Sequence, residues 1–264
     1  MIHFFVNLPL RYIHADKKYI DYFIEHRLQP ELGLDVIALE TLDLAWHRAI
    51  AGVLRDAGLA CAIHLPFFDL QPGSIDDGIL DATRRRLAGA CAIARIYQPR
   101  HLVAHAGFTD IYEEFYSQWL ERCCATWHAF MRDWPDHPPV FLENVYEENP
   151  QPLGDLLDRI AADRMGVCFD TGHWHSFSQG AHLKNLRQWL TGLALHLRHL
   201  HLHDNDGGFD QHRGLGQGLI PWEEFFTTLL ELRLRPSITL EPHSQAAIEH
   251  SLSFISEHQD WFNQ

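Results

Sequence analysis

The sequence predicts an α/β protein, a closed (β/α)8 TIM barrel forming a single domain over residues 1–264. Three observations predict it. Eight short apolar runs alternate with longer helical patterns along the chain. The length suits one undivided barrel, and 46% hydrophobic residues is ample for its core. Ionisable residues recur where the apolar runs end, which is where barrels of this type build their sites. An open doubly wound sheet is the alternative if the strands do not close.

In chain order the strand-like runs are His3–Asn7, Asp35–Leu39, Ala60–His64, His101–His105, Val140–Glu143, Gly166–Asp170, Arg198–His203 and Ser237–Glu241. Helical patterns lie near Lys17–Leu28, Leu44–Ala57, Asp76–Tyr97, Tyr112–Trp134, Leu153–Asp163, His182–His196, Pro221–Leu232 and Gln245–Trp261. Gly58, the Gln98-Pro99 pair and Pro138-Pro139 separate neighbouring elements. Side chains alternate between the faces of a strand. Val167 and Phe169 therefore oppose Gly166, Cys168 and Asp170, and Cys61 and Ile63 oppose Ala60, Ala62 and His64. The bulky set is expected to pack against helices and the smaller set to point into the barrel.

The formal charge is −14, with 35 acidic against 21 basic residues. Phosphate contacts to nucleic acid come from Lys and Arg, so this balance disfavours a nucleic-acid partner. The five cysteines are odd in number and form no CxxC pair, and they read as reduced core residues of a cytoplasmic protein. The start MIHFFVNLPLRY has no basic segment and no long apolar run, so it reads as a strand rather than a signal peptide. No stretch approaches the ~20 apolar residues that span a membrane. No residue pattern speaks to oligomeric state.

The chain has twenty histidines. His14, His26, His128 and His258 fall in helical patterns and read as surface or packing residues. The strand ends are different. They carry His64, His105, Glu143, Asp170 with His173 one turn later, His203 followed by Asp210 and His212, and Glu241. Any one alone reads as a satisfied polar strand end. Together, four acids on one rim repel one another, and divalent cations are the natural compensation. His199 and His201 share the face of His203 but lie deeper, so they read as buried hydrogen-bonding groups. Asn144 stands behind the rim as a hydrogen-bond donor. Phe67 and Phe68 read either as a stacking surface for a planar substrate group or as loop packing, and Arg213, beside His212, is a candidate phosphate partner. Arg84-Arg85-Arg86 reads as a solvated helix face, Trp222 as a core plug, and the GLGQG loop as a weak signal for anion binding.

The joint motifs FDTGH, HLHDN, DxHxxLGxGxIPW and LEP resemble the xylose-isomerase-like barrel superfamily, which includes endonuclease IV. The resemblance is clearest from Ala60 to Pro242. It implies up to three divalent metals, zinc first, with manganese or iron also suited. The endonuclease IV pattern implies one metal on His64, His105 and Glu143, a second on Glu143, Asp170, His203 and Glu241, and a third on His173, Asp210 and His212. The superfamily's mononuclear sugar isomerases and epimerases need only the second group, with the residues matching Glu143 and Glu241 moving a proton. Because the histidines of the other groups are also present, the expected activity is a metal-dependent phosphodiesterase in which Glu143 and Glu241 are catalytic. The alternatives are a sugar or sugar-phosphate isomerase or epimerase, an abasic-site endonuclease, and a metal-binding protein without catalysis. LPFFDLQPGS, ENVYE, CFDTGH, HLHDN and TLEPH are similar to a branch of cobamide-remodelling phosphodiesterases, implying a corrinoid nucleotide loop as substrate. The expected partner is a small phosphoester or sugar.

Overall fold

The structure, a computed structural model, describes residues 4–263. Eight strands follow one another around a closed barrel: β1 Phe4–Pro9, β2 Gln29–Gly33, β3 Ala62–His64, β4 Leu102–His105, β5 Val140–Glu143, β6 Met165–Asp170, β7 Leu197–Leu202 and β8 Ser237–Leu240. All neighbours pair in parallel, and β8 closes on β1 through Phe4↔Ile238 and Val6↔Leu240. Seven strands fall where the apolar runs place them. His3, at the start of the first run, lies outside the described residues.

The second strand is a correction. Asp35–Leu39 reads as extended in the sequence, but Val36–Thr41 is helical and β2 lies earlier, over QPELG. Asp35 is an N-cap whose side chain accepts the Ala38 N–H at 2.9 Å, which satisfies an otherwise orphaned helix donor. The segment QPELG hides its strand character because it contains a proline and because Glu31 points inward where an apolar residue is the usual choice.

The helices largely follow the expected spans, with local breaks. Asp43, Asp76 and Ser244 each cap a helix by accepting a backbone N–H three residues on. The pattern Tyr112–Trp134 begins as a 3-10 turn, Asp110–Phe115, before the α-helix Tyr116–Asp133. The pattern His182–His196 splits into Gly180–Leu183 and Leu186–Leu193, with Lys184 left-handed at the break. A short helix at Thr171–Ser176, absent from the sequence reading, directly follows β6. Among the described residues no helix is long and apolar enough to cross a membrane.

Two buried layers result. Ile63, Val167, Phe169, Leu200 and Leu202 face outward and pack with helix residues such as Trp119, Trp127, Trp189 and Phe225 in the main core. Each fully buried aromatic of that kind stabilises the fold by roughly 1.5–3 kcal/mol. Val103, Phe141 and Cys168 form a separate cluster inside the barrel, as the strand alternation requires. The barrel interior also buries Glu31, His101, His199, His201 and Thr239. All five cysteines are buried and free.

Candidate metal centre

Glu143 ends β5 and is 1% exposed. Its Oε2 lies 2.9 Å from His64 Nε2 at the end of β3 and 3.2 Å from His105 Nε2 at the end of β4. Its Oε1 lies 3.2 Å from His173 Nδ1 and 3.3 Å from His201 Nδ1. His201 Nδ1 is in turn 3.1 Å from Glu241 Oε2 and 3.8 Å from Asp170 Oδ2. On the far side, Asp210 meets His212 Nε2 at 2.7 Å, His173 Nε2 at 3.5 Å and His203 Nε2 at 3.6 Å. Three groups of donor atoms thus stand side by side: His64, His105 and Glu143; Glu143, Asp170, His201 and Glu241; and His173, His203, Asp210 and His212. Within each, the atoms lie within 4.8 Å of one another.

The hydrogen bonds behind these groups place the ring protons, although His173 Nδ1 also lies beside Glu143. Nδ1 of His64 meets the Leu65 carbonyl at 2.9 Å, that of His173 the Asn144 carbonyl at 3.0 Å, and that of His212 the Glu241 carbonyl at 2.7 Å. A carbonyl only accepts, so each Nδ1 carries the proton, and Nε2 turns toward a carboxylate. An Nε2 lone pair facing a carboxylate is unfavourable unless a proton or a cation lies between them. Glu241 Oε2 and Asp210 Oδ1 are buried without a hydrogen-bond partner, which also fits a donor set built for a cation.

Without a cation the cluster draws protons. Burial opposes charge on His212, but its hydrogen bond to Asp210 and the field of Glu241 prevail and raise it to about 9. His173 and His201 are raised well above the usual imidazole range against the same burial, by Asp170 and Asp210 at His173 and by buried anionic neighbours at His201. Burial would raise Glu143, yet the charges of His201 and His105 hold it well below the carboxylate range. His105 goes the other way: burial lowers it, aided by the neighbouring His64 and His173, and Glu143 only partly compensates.

With this geometry, residues 24–258 match the family of xylose isomerase-like TIM barrels. The chain belongs to that family. An uncharacterized protein of Methanocaldococcus jannaschii, MJ1311, is 24% identical over 210 residues, covering 76% of this chain and 71% of the relative. Two solved structures share the fold. A D-tagatose 3-epimerase-like protein aligns with a TM-score of 0.80 at 20% identity, over 100% of this chain and 98% of its own. The TTHB071 protein of Thermus thermophilus, soaked with ZnCl2, aligns with a TM-score of 0.78 at 23% identity, over 97% of each chain.

In this xylose isomerase-like barrel all the strand-end residues named from the sequence come together, with one exchange. The structure sets His201, not His203, against Glu143 and Glu241. β7 ends at Leu202, so His201 is the last inward side chain of the strand, whereas counting from the end of the apolar run puts His203 in that place. His203 lies beyond the strand, 3.1 Å from Asp170 Oδ1 and stacked on His212 at 3.9 Å. Gly172 makes room for it, since a Cβ there would collide with the His203 ring.

Asn144 acts on the backbone. It donates to the Asp170 carbonyl at 3.1 Å and accepts the Asp170 N–H at 2.8 Å, clasping β5 to β6 behind the acids. Phe67 stacks on His105 with centroids 4.4 Å apart and continues outward to Phe68 at 4.5 Å. Arg213, next to His212 in the chain, pairs with Asp206 at 3.0 Å. Arg84 reaches Thr126 and Arg86 reaches Glu40, as a solvated face allows.

Two buried acids beside the site escaped the sequence. Glu31 lies beneath His201 on the misplaced β2. Asp204, fully buried, accepts N–H groups from Gly216, Ile220 and the Trp222 indole at 2.9, 3.2 and 2.8 Å. It thereby pins the loop that carries Asp210 and His212. The adjacency of Asp204 to the HLH run was its only signal. The GLGQG amide at Gly216 serves this carboxylate, and Trp222 is a core residue that also ties down the loop.

Proposed function

We propose that this barrel is a metal-dependent phosphoester hydrolase with a di- or trinuclear centre at its C-terminal rim, acting on a small non-DNA substrate. One observation carries the reading: three contiguous donor groups share or flank Glu143, and three of their imidazoles are locked at Nδ1 so that Nε2 faces acids. His64, His105 and Glu143 would hold one ion; Glu143, Asp170, His201 and Glu241 a second; His173, His203, Asp210 and His212 a third. Mixed imidazole and carboxylate donors suit zinc first, with manganese and iron also accommodated.

When bound, such ions supply Lewis acidity at a phosphoryl oxygen and acidify water. The chain's own residues do the rest. Glu143, held between four imidazoles, orients the attacking water and accepts its proton. Glu241, anchored at Oε1 by Asn7 at 3.0 Å, keeps its other oxygen toward the site and serves as the second proton-handling carboxylate. Asn144 fixes Asp170. Phe67 and Phe68 on one side, and Phe177 stacked on His173 at 5.3 Å with Tyr146 5.0 Å beyond on the other, offer flat faces to the part of the substrate that does not react. The corrinoid nucleotide loop implied by the sequence is one phosphodiester with such a part.

A second reading has its own support. Glu143 and Glu241 approach His201 Nδ1 at 3.3 and 3.1 Å, and a carboxylate pair around one ion is what removes and returns a proton at a sugar carbon. The likeness to a D-tagatose 3-epimerase-like protein weighs toward this mononuclear sugar isomerase or epimerase; the additional donor groups weigh toward hydrolysis. An abasic-site endonuclease is disfavoured by the net charge of −14.

The test is Glu143→Gln in zinc-loaded protein, assayed on a phosphodiester panel that includes corrinoids and on ketohexoses for proton exchange. The proposal expects ester cleavage by the parent, lowered at least about 100-fold in the variant with the melting temperature kept. Exchange at a sugar carbon without ester cleavage contradicts it and establishes the second reading.

A further inference from the structure

We propose that Glu31 is a positioning residue that holds the proton of His201 on Nε2 and so presents Nδ1 to the cation; this rests on the metal-centre reading above. Glu31 points from β2 into the barrel and is 0% exposed. Its Oε1 lies 2.9 Å from His201 Nε2. Its Oε2 accepts the Thr239 hydroxyl at 2.7 Å and lies 3.3 Å from His101 Nε2 and 3.5 Å from His199 Nε2.

His201 differs from the other imidazoles. His64, His173 and His212 are tied through Nδ1 to main-chain carbonyls and offer Nε2. His201 offers Nδ1 to Glu143 and Glu241, and its anchor is a carboxylate. The His201 Nε2–H does not point squarely at Glu31 Oε1, and neither atom has another hydrogen-bond partner. Once Nδ1 is given to a cation, the ring's one proton must sit on Nε2, and Glu31 Oε1 is the acceptor already at hydrogen-bond distance. A hydrogen bond to a charged acceptor is roughly twice as strong as one to a neutral carbonyl, and a carboxylate behind a ligating imidazole raises its basicity.

The deep group is not itself arranged as a further ion site. Both nitrogens of His199 are engaged by hydroxyls, Nδ1 by Ser237 at 2.7 Å and Nε2 by Thr239 at 2.9 Å. Glu31 is instead steadied by Thr239 and His101, and its negative charge, buried under the rim, favours a cation above His201. The isosteric Glu31→Gln substitution removes that charge and leaves the packing.

Zinc occupancy is read by anomalous scattering and by chelator competition, in the parent and in Glu31→Gln. The expected result is a loss of about 10–100-fold in zinc affinity at the group of Glu143, Asp170, His201 and Glu241, with affinity at the group of His173, Asp210 and His212 unchanged. Equal loss at both groups together with a lowered melting temperature assigns Glu31 to the scaffold and overturns the proposal, as does no loss at all. Should the variant not fold, nitrogen NMR of the zinc-loaded parent decides: a slowly exchanging His201 Nε2–H supports it, and zinc on Nε2 overturns it. If the parent binds zinc but cleaves no phosphoester, the hydrolase reading fails and the role of Glu31 stands; if the parent binds no zinc, both fail.

Discussion

At the residue scale the acids and imidazoles of the centre hold protons on lone pairs that the proposed cations would take. The pair of His212 and Asp210 shows it most clearly. His212 is raised from 6.5 to about 9, so in metal-free protein its contribution to stability is fully present below pH 6.5 and is lost as pH rises through about 9. Burial works against ionised Asp210, but hydrogen bonds from His173 and His212 hold it well below its ordinary 3.8; its contribution is fully present above that value and is lost as pH falls through its depressed one. A cation on Nε2 displaces the His212 proton, so zinc binding strengthens as pH rises. Thermal denaturation in chelator is therefore expected to show a melting temperature that falls from pH 6.5 to about 9, while excess zinc removes the fall. A metal-free melting temperature that climbs over that interval contradicts the assignment. Residue types at the rim were legible because acids and imidazoles at strand ends have few other uses. The choice between His201 and His203 was not, because both lie on the inward face and only the observed end of β7 separates them.

At the element scale Asp204 is a main tether of the long segment after β7. The Asp204 carboxylate receives three main-chain amides, from Asn205, Gly216 and Ile220, and the Trp222 indole N–H, and its backbone pairs with Arg213 in an isolated bridge. Replacing it by alanine leaves the Asn205 and Ile220 amides and the Trp222 indole N–H buried and unpaired. Asp204→Ala is expected to cost about 2–4 kcal/mol in urea denaturation and to remove one zinc per chain, the one at His173, Asp210 and His212, while zinc at Glu143 persists. Loss of stability with full zinc stoichiometry shows that the loop does not depend on Asp204. The strands were legible wherever their inward residues are apolar or end in a ligand. β2 was not, because its central inward residue is Glu31 and its second residue is Pro30, so Asp35–Leu39 had the stronger apolar signal although Asp35 caps a helix.

At the scale of the whole molecule, the C-terminal end of the barrel carries exposed apolar residues as well as the acids. Phe68, Ile111, Phe115, Tyr146, Phe177 and Phe209 are exposed large apolar residues, and each lies on a segment leaving the C-terminal end of a strand, around the acids. An apolar collar over a charged floor suits a ligand with one reacting polar group and a larger flat remainder. Barrel closure follows from the eightfold alternation, as the sequence allowed; the collar does not, because exposed and buried aromatics look alike in a sequence. The central claim is that the acids and imidazoles gathered from β3 to β8 and the following segments are held together by divalent ions. Anomalous diffraction from zinc-loaded crystals tests it most directly. The account predicts two or three ions at the rim, one of them on Glu143, Asp170, Glu241 and Nδ1 of His201, with His203 on a different ion. A rim that takes up no ion, or an ion joining His203 to Glu143 and Glu241 while His201 stands apart, contradicts it.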